Sequence, residues 1–120
     1  QVPIALQFLL RSVIPKSHVE FLSRSLDYVQ FGDYLLTHAG IRPGVPIENQ
    51  NPADMRWIRD AFLKFDGEHG VVVVHGHTIT EQVEIRHNRI GLDTGAYQTG
   101  RLSAICIENL TVTVLSNKPE

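Results

Sequence analysis

Two of the six histidines stand where chemistry is possible. His38 ends the segment Tyr34-Leu35-Leu36-Thr37 and is followed by Ala39-Gly40, while His77 follows Val71-Val72-Val73-Val74-His75-Gly76. Each is an imidazole beside a glycine at the end of an apolar run, where the chain can turn sharply and aim a side chain into a cleft. Imidazole is a common metal ligand and titrates near neutral pH, so the pair reads as ligands in one shared site. The competing reading for each is a satisfied or exposed imidazole. His75 lies two residues from His77 and points the same way along a continuing strand. A turn at Gly76 breaks that relation, which leaves His75 as a supporting or a structural residue. His18, His69 and His87 sit in polar helical or turn contexts and read as surface groups.

Two histidines do not complete a hydrolytic metal site, which usually takes several ligands, often with carboxylates bridging two ions. Among the acids only Asp93, in Leu92-Asp93-Thr94-Gly95, shares the strand-end setting. An Asp-Thr-Gly triplet is also compatible with half of an aspartic-protease dyad, or with a carboxylate that fixes the following turn. Arg59 is the anion-binding candidate, because a guanidinium offers a planar fork matched to phosphate oxygens; a surface arginine on an amphipathic helix is the alternative. The sequence has no glycine-rich phosphate loop, no serine nucleophile on an elbow and no paired cysteines.

The elements that must position these residues follow from periodicity. Four consecutive valines have no polar face and predict a strand covered on both sides, with His75 and His77 at its carboxyl end, where ligands gather in open α/β sheets. Residues 4–13 are apolar nearly all round and predict a helix. A second helix is expected from about Pro15 to Ser25, with Val19, Phe21, Leu22 and Leu26 on its apolar face. Tyr28–Phe31, Gly32-Asp33 and Tyr34–Thr37 predict a hairpin, and Ile41–Pro52 a loop. Asp54 is a plausible N-cap for a helix over Met55–Phe65 with Trp57, Ile58, Phe62 and Phe65 inward and Arg56 and Arg59 on one face. Val83–Ile85 and Ile90–Ala96 predict strands around a turn at His87-Asn88-Arg89, and Leu102–Ile107 pairs with Thr111–Leu115 across residues 108–110.

Composition bounds the rest. At 120 residues, 42% hydrophobic and 20% charged, the chain is one domain with room for a core. A net charge of −2 gives no bulk attraction for nucleic acid or an anionic membrane. The apolar start, Gln1–Leu10, has no basic leader, contains Pro3 and is too short to span a bilayer. The single cysteine, Cys106, lies in an apolar run and reads as a small buried residue. With no partner thiol in the chain, a cytoplasmic setting is expected. The absence of an initiator methionine suggests a chain that begins inside a longer protein.

Four segments in order, Leu36-Thr37-His38-Ala39-Gly40-Ile41, Arg56-Trp57-Ile58-Arg59-Asp60, Val74-His75-Gly76-His77-Thr78 and Leu92-Asp93-Thr94-Gly95-Ala96, resemble the C-terminal half of a bacterial calcineurin-like metallophosphoesterase. The branch they look like is the phosphoprotein phosphatase type, which includes serine/threonine phosphatases and symmetrical diadenosine tetraphosphatases. The resemblance covers roughly residues 15–108. It implies an α+β fold, an α/β/β/α sandwich, of which residues 1–120 form about half, with a mixed sheet and about three helices. It implies hydrolysis of phosphate esters or anhydrides with two divalent ions, often manganese, whose bound water attacks phosphorus. By resemblance His38 and His77 bind the second metal and Arg59 holds substrate phosphate, while His75 and Asp93 lie in family motifs without a ligand role carried onto them.

The family's first half supplies Gly-Asp-x-His, Gly-Asp-x-x-Asp-Arg-Gly and Gly-Asn-His-Glu motifs, and none occurs here. The only Gly-Asp, Gly32-Asp33, is followed by Tyr-Leu. The resemblance therefore implies ligands for one metal, without the bridging aspartate or the general acid. The expected function is a metal-dependent phosphatase acting on phosphoproteins or dinucleoside polyphosphates in the parent protein, with this part inactive alone. The alternative is a non-catalytic pseudo-phosphatase or interaction domain. A sheet lacking its partner half also predicts self-association through the bare core face.

Overall fold

A computed structural model describes residues 3–109 and 111–118. Gln1, Val2 and Leu110, which belong to the apolar start and the last turn discussed above, lie outside the described residues. Five strands form one mixed sheet in the order β1-β2-β3-β5-β4: β1 (Tyr28–Phe31), β2 (Tyr34–Thr37), β3 (Val72–His75), β4 (Glu84–Ile85) and β5 (Arg89–Gly91). β2, β3 and β5 run parallel in the middle, and β1 and β4 flank them antiparallel. The valine strand is therefore central, with Val73 and Val74 buried. Its register pairs Leu35 with Val73 and Leu36 with Val74. The β1–β2 hairpin turns at Gly32-Asp33, and Gly32 takes a φ of +55°, the left-handed backbone that a two-residue hairpin loop demands.

The fold is α+β, with five α-helices among the described residues rather than about three. α1 (Ile4–Val13) and α2 (Lys16–Ser23) match expectation in position, but neither has a buried residue. The single helix expected over Met55–Phe65 is instead α3 (Pro52–Trp57) and α4 (Asp60–Leu63). The loop expectation over Ile41–Pro52 holds except for a 3-10 turn at Ile47–Asn49. The N-cap of α3 is Asn51, whose side chain accepts from the Ala53 amide at 2.9 Å, with Pro52 at the first helical position. Proline is tolerated there because that amide has no intrahelical partner. Asp54 binds Arg42 instead, through two 2.7 Å hydrogen bonds.

The break between α3 and α4 has a local cause. In a continuous helix the Met55 carbonyl would accept from the Arg59 amide. Here it accepts from the Ala39 amide at 2.7 Å and from the Thr37 hydroxyl at 3.4 Å. Ile58 turns extended, with φ −61° and ψ 144°, and the helix restarts at Asp60. Arg56 and Arg59 therefore do not share a helix face. Trp57, expected inward, is 71% exposed, whereas Ile58 and Phe62 are buried.

The core gathers on one side of the sheet, where Leu35, Ala39, Ile41, Met55, Ile58, Phe62 and Val73 form one cluster. Gly40 allows this closure: its φ is +144°, and a Cβ there would meet the Phe62 ring at 2.3 Å. β5 is shorter than the expected Ile90–Ala96 strand. Arg89 belongs to it rather than to the turn, and Leu92–Gly95 leads into α5 (Ala96–Thr99), a turn of helix between two left-handed glycines, Gly95 and Gly100. β6 (Ser103–Glu108) and β7 (Thr111–Ser116) form a separate two-stranded sheet. Cys106 faces outward on β6 and is exposed, against expectation. In a strand pair with one open face, alternation decides exposure, and the apolar character of the run does not. His69 also departs: its ring lies within 5.0 Å of Phe65 and 5.4 Å of Phe62, and burial pushes its pKa down.

The opposite side of the sheet is open. An apolar groove of about 340 Å³ runs between Phe31, Tyr34, Leu36, Val74 and Leu92 on one wall and Ile105 on the other. The radius of gyration, 16.4 Å, exceeds the value of about 13.6 Å for a close-packed domain of this length. No helix among the described residues is long and apolar enough to cross a membrane.

Candidate functional site

The site lies where the parallel strands end. β2 and β3 are neighbours running the same way, so their carboxyl ends emerge side by side. The Gly76 amide donates to the His38 carbonyl at 2.9 Å, extending the pairing past the last ladder residue. His38 and His77 are thereby brought together, with His38 Nε2 3.2 Å from His77 Nδ1 and ring centroids 5.0 Å apart. The turn that presents His77 is centred on the histidine itself. Gly76 has no positive φ, whereas His77 takes φ +65°, and the Thr78 amide donates back to the Gly76 carbonyl at 2.7 Å. That is a γ-turn with positive φ, a strained form for a residue bearing a side chain.

Arg59, released by the helix break, donates from Nη1 to the Thr78 hydroxyl at 3.2 Å. Its charge reaches His77. Burial, then Arg59 and then His38 push the His77 pKa down, with Asp93 opposing. A lowered pKa keeps the imidazole neutral and able to ligate around pH 7. Arg56, by contrast, is held by Asp27 through Nε at 2.8 Å and Nη2 at 2.6 Å. Asp93 accepts from the Gly95 amide at 3.0 Å, the turn-fixing role, while lining a cleft of about 270 Å³ together with His38, His77 and Arg101. His75 is buried behind this surface, edge-on to Phe62 at 5.0 Å, and burial drives its pKa down.

Sequence reasoning missed Trp57, whose ring centroid is 5.6 Å from that of His77 in an edge contact. No local signal marks it, because its outward position depends on the Met55 carbonyl being captured by β2 and the residues just after it. Arg89 was also missed; it lies nearly fully buried beneath the site.

As a metal centre the donor set is partial. Two imidazole nitrogens each about 2.0–2.1 Å from one ion, the range known for zinc, stand about 2.8–3.0 Å apart at a right angle and about 3.3–3.4 Å apart at the tetrahedral angle. The observed 3.2 Å lies between. His77 Nε2, the other ring nitrogen, is buried without a hydrogen-bond partner. Among the described residues no group of three or more His, Cys, Asp or Glu could hold a metal ion. The residues present fit an ion as two of its ligands and do not close its coordination.

No protein-family model matches the chain, and no curated protein matches it significantly. A solved crystal structure described as "a putative diadenosine tetraphosphatase" is similar in fold, with a TM-score of 0.70 and 19% identity. The match covers 93% of this chain and 60% of that one. The chain thus spans less than two thirds of the structure it resembles. At this identity the likeness establishes the fold.

Proposed function

We propose that the chain is the C-terminal part of a calcineurin-like metallophosphoesterase domain, and that His38 and His77 hold one divalent ion while Arg59 binds substrate phosphate. One observation carries this reading: two imidazoles from the ends of adjacent parallel strands meet at 3.2 Å, with a guanidinium beside them. The fold likeness and the four sequence motifs support it. When bound, the ion supplies Lewis acidity and an activated water. This chain's own residues do the rest that is visible: His77, its pKa pushed down by burial and by Arg59, stays neutral, and Arg59, neutralised by no carboxylate in an ion pair among the described residues, orients phosphate oxygens. Manganese is the proposed metal, held weakly because hard ions prefer oxygen ligands. Substrates are phosphoproteins or dinucleoside polyphosphates. Bridging acids and a general acid would come from a part of the domain outside this chain, so the chain alone is proposed to be inactive.

The second reading, a non-catalytic interaction domain, is favoured by the lack of a third ligand among the described residues. Inorganic phosphate binding in the presence of manganese separates the two. The phosphatase reading expects binding that Arg59→Ala and His77→Asn each weaken at least tenfold, and p-nitrophenyl phosphate hydrolysis no faster than manganese alone. Hydrolysis that His77→Asn abolishes would uphold the site and show that the half-site suffices. Phosphate binding indifferent to both substitutions would refute the proposal.

A further inference from the structure

A buried polar chain runs behind the two histidines. Arg89, in β5, is 3% exposed, and its Nη1 lies 2.8 Å from Glu84 Oε2 and 3.4 Å from His75 Nε2. Its Nη2 donates to the Leu63 carbonyl at 3.4 Å, and its Nε has no partner. Burying a guanidinium is costly even when paired, and an apolar residue would pack the same space without that cost. The cost points to a task.

The donor inventory fixes what that task is. A guanidinium has only N–H donors, so His75 Nε2 must be the acceptor of the Arg89 contact. The ring proton of a neutral His75 then resides on Nδ1, which faces the Gly76 carbonyl at 3.1 Å and donates to it. That same carbonyl accepts the Thr78 amide and closes the γ-turn that holds His77 at positive φ. Gly91, opposite His75 in the ladder, lies against the ring: a Cβ there would sit 3.4 Å from His75 Cε1 and Nε2.

We infer that Glu84, Arg89 and His75 form a positioning relay that fixes the His75 tautomer, pins the Gly76 carbonyl and so aims the His77 ring at His38. The inference rests on the reading of His38 and His77 as metal ligands for its consequence in binding. Partners one shell behind a ligand commonly set its orientation, and losing them lowers metal affinity by roughly 10–100-fold. His75 and Arg89 are positioning residues; neither reaches the cleft.

Two near-isosteric substitutions separate the parts of the relay. His75→Asn keeps an N–H donor at the Nδ1 position and loses the acceptor for Arg89. His75→Gln keeps an acceptor at the Nε2 position and loses the donor to Gly76. Manganese affinity is read by electron paramagnetic resonance of the free ion, and amide exchange is read at Thr78 and Leu92, the latter bonded to the His75 backbone carbonyl at 2.8 Å. The relay predicts at least a tenfold loss of affinity in His75→Gln, a loss within threefold in His75→Asn, and faster Thr78 exchange only in the Gln variant. Wild-type affinity in His75→Gln overturns it, as does an equal loss of Leu92 protection in both variants. If the unaltered chain binds no manganese, the ligand reading fails and Thr78 decides the relay alone. Selective loss of its protection in His75→Gln upholds the relay, and unchanged protection overturns it.

Discussion

Replacing His77 by glycine and by alanine measures how much backbone strain the site stores. Both variants delete the imidazole, so ring contacts cancel in the comparison and the backbone remains. At φ +65° a residue with a Cβ costs about 1–2 kcal/mol relative to glycine. Glycine returns about 0.5–1 kcal/mol of that through its freer unfolded chain. His77→Gly should therefore be more stable than His77→Ala by about 0.5–1 kcal/mol, the reverse of the order found in helices and strands. For a domain of this size the difference is a melting-temperature gap of roughly 2–5 °C. Urea titration and thermal melts of the two variants at matched concentration give the value. Gly76→Ala is the control: Gly76 lacks a positive φ, and a Cβ there would meet the His38 carbonyl oxygen at 3.7 Å and Asp93 Cβ at 3.8 Å, ordinary contacts. That variant should be neutral or gain up to about 1 kcal/mol. A His77→Ala protein as stable as His77→Gly would refute the strained turn.

Three further outcomes follow from the same structure. His69, His75 and His77 all have pKa values pushed down, chiefly by burial. The unfolded chain, with imidazoles near 6.5, therefore binds protons more readily, and stability is complete above that value and lost as pH falls below it. The urea midpoint should drop between pH 7.5 and pH 5, with a shallower slope in His75→Gln; a flat profile contradicts the assignment. Asn51→Ala removes the cap of α3 and should cost about 1 kcal/mol, with unchanged urea midpoint as the contrary result. The open groove along Phe31, Leu36 and Leu92 is proposed to pair with a second copy of the chain, so sedimentation at micromolar concentration should show dimers that Leu36→Lys converts to monomer. A monomeric unaltered chain contradicts that pairing.

What the sequence made legible was local. The valine run, the Gly32-Asp33 hairpin and the β6–β7 pair each carry their own pattern and form strands where the pattern predicts them, although the valine strand is covered by the core on one side and borders the open groove on the other. The meeting of His38 and His77 was legible because two apolar runs ended alike and such runs align in a parallel sheet. The features that escaped are those decided by distant groups. Nothing between Pro52 and Leu63 announces a break, because the competitors for the Met55 carbonyl, Ala39 and Thr37, come from the end of β2 and the residues after it. The exposure of Trp57 and the placement of Arg59 on Thr78 both descend from that break. Arg89 read as a turn residue because its neighbours His87 and Asn88 are polar. Its burial depends on Glu84 and His75 supplying partners from other strands. The apolar run around Cys106 suggests burial, but among the described residues β6 pairs with β7 alone, which leaves the Cys106 face open.

The most direct test of the two-histidine metal site uses the chain's single tryptophan. Trp57 lies 5.6 Å from His77, ring centre to ring centre, so a paramagnetic ion held between His38 and His77 must quench its fluorescence. Manganese titration of the purified chain should give a saturable quench that His38→Asn and His77→Asn each remove. A quench that never saturates, or one identical in all three proteins, would contradict the site.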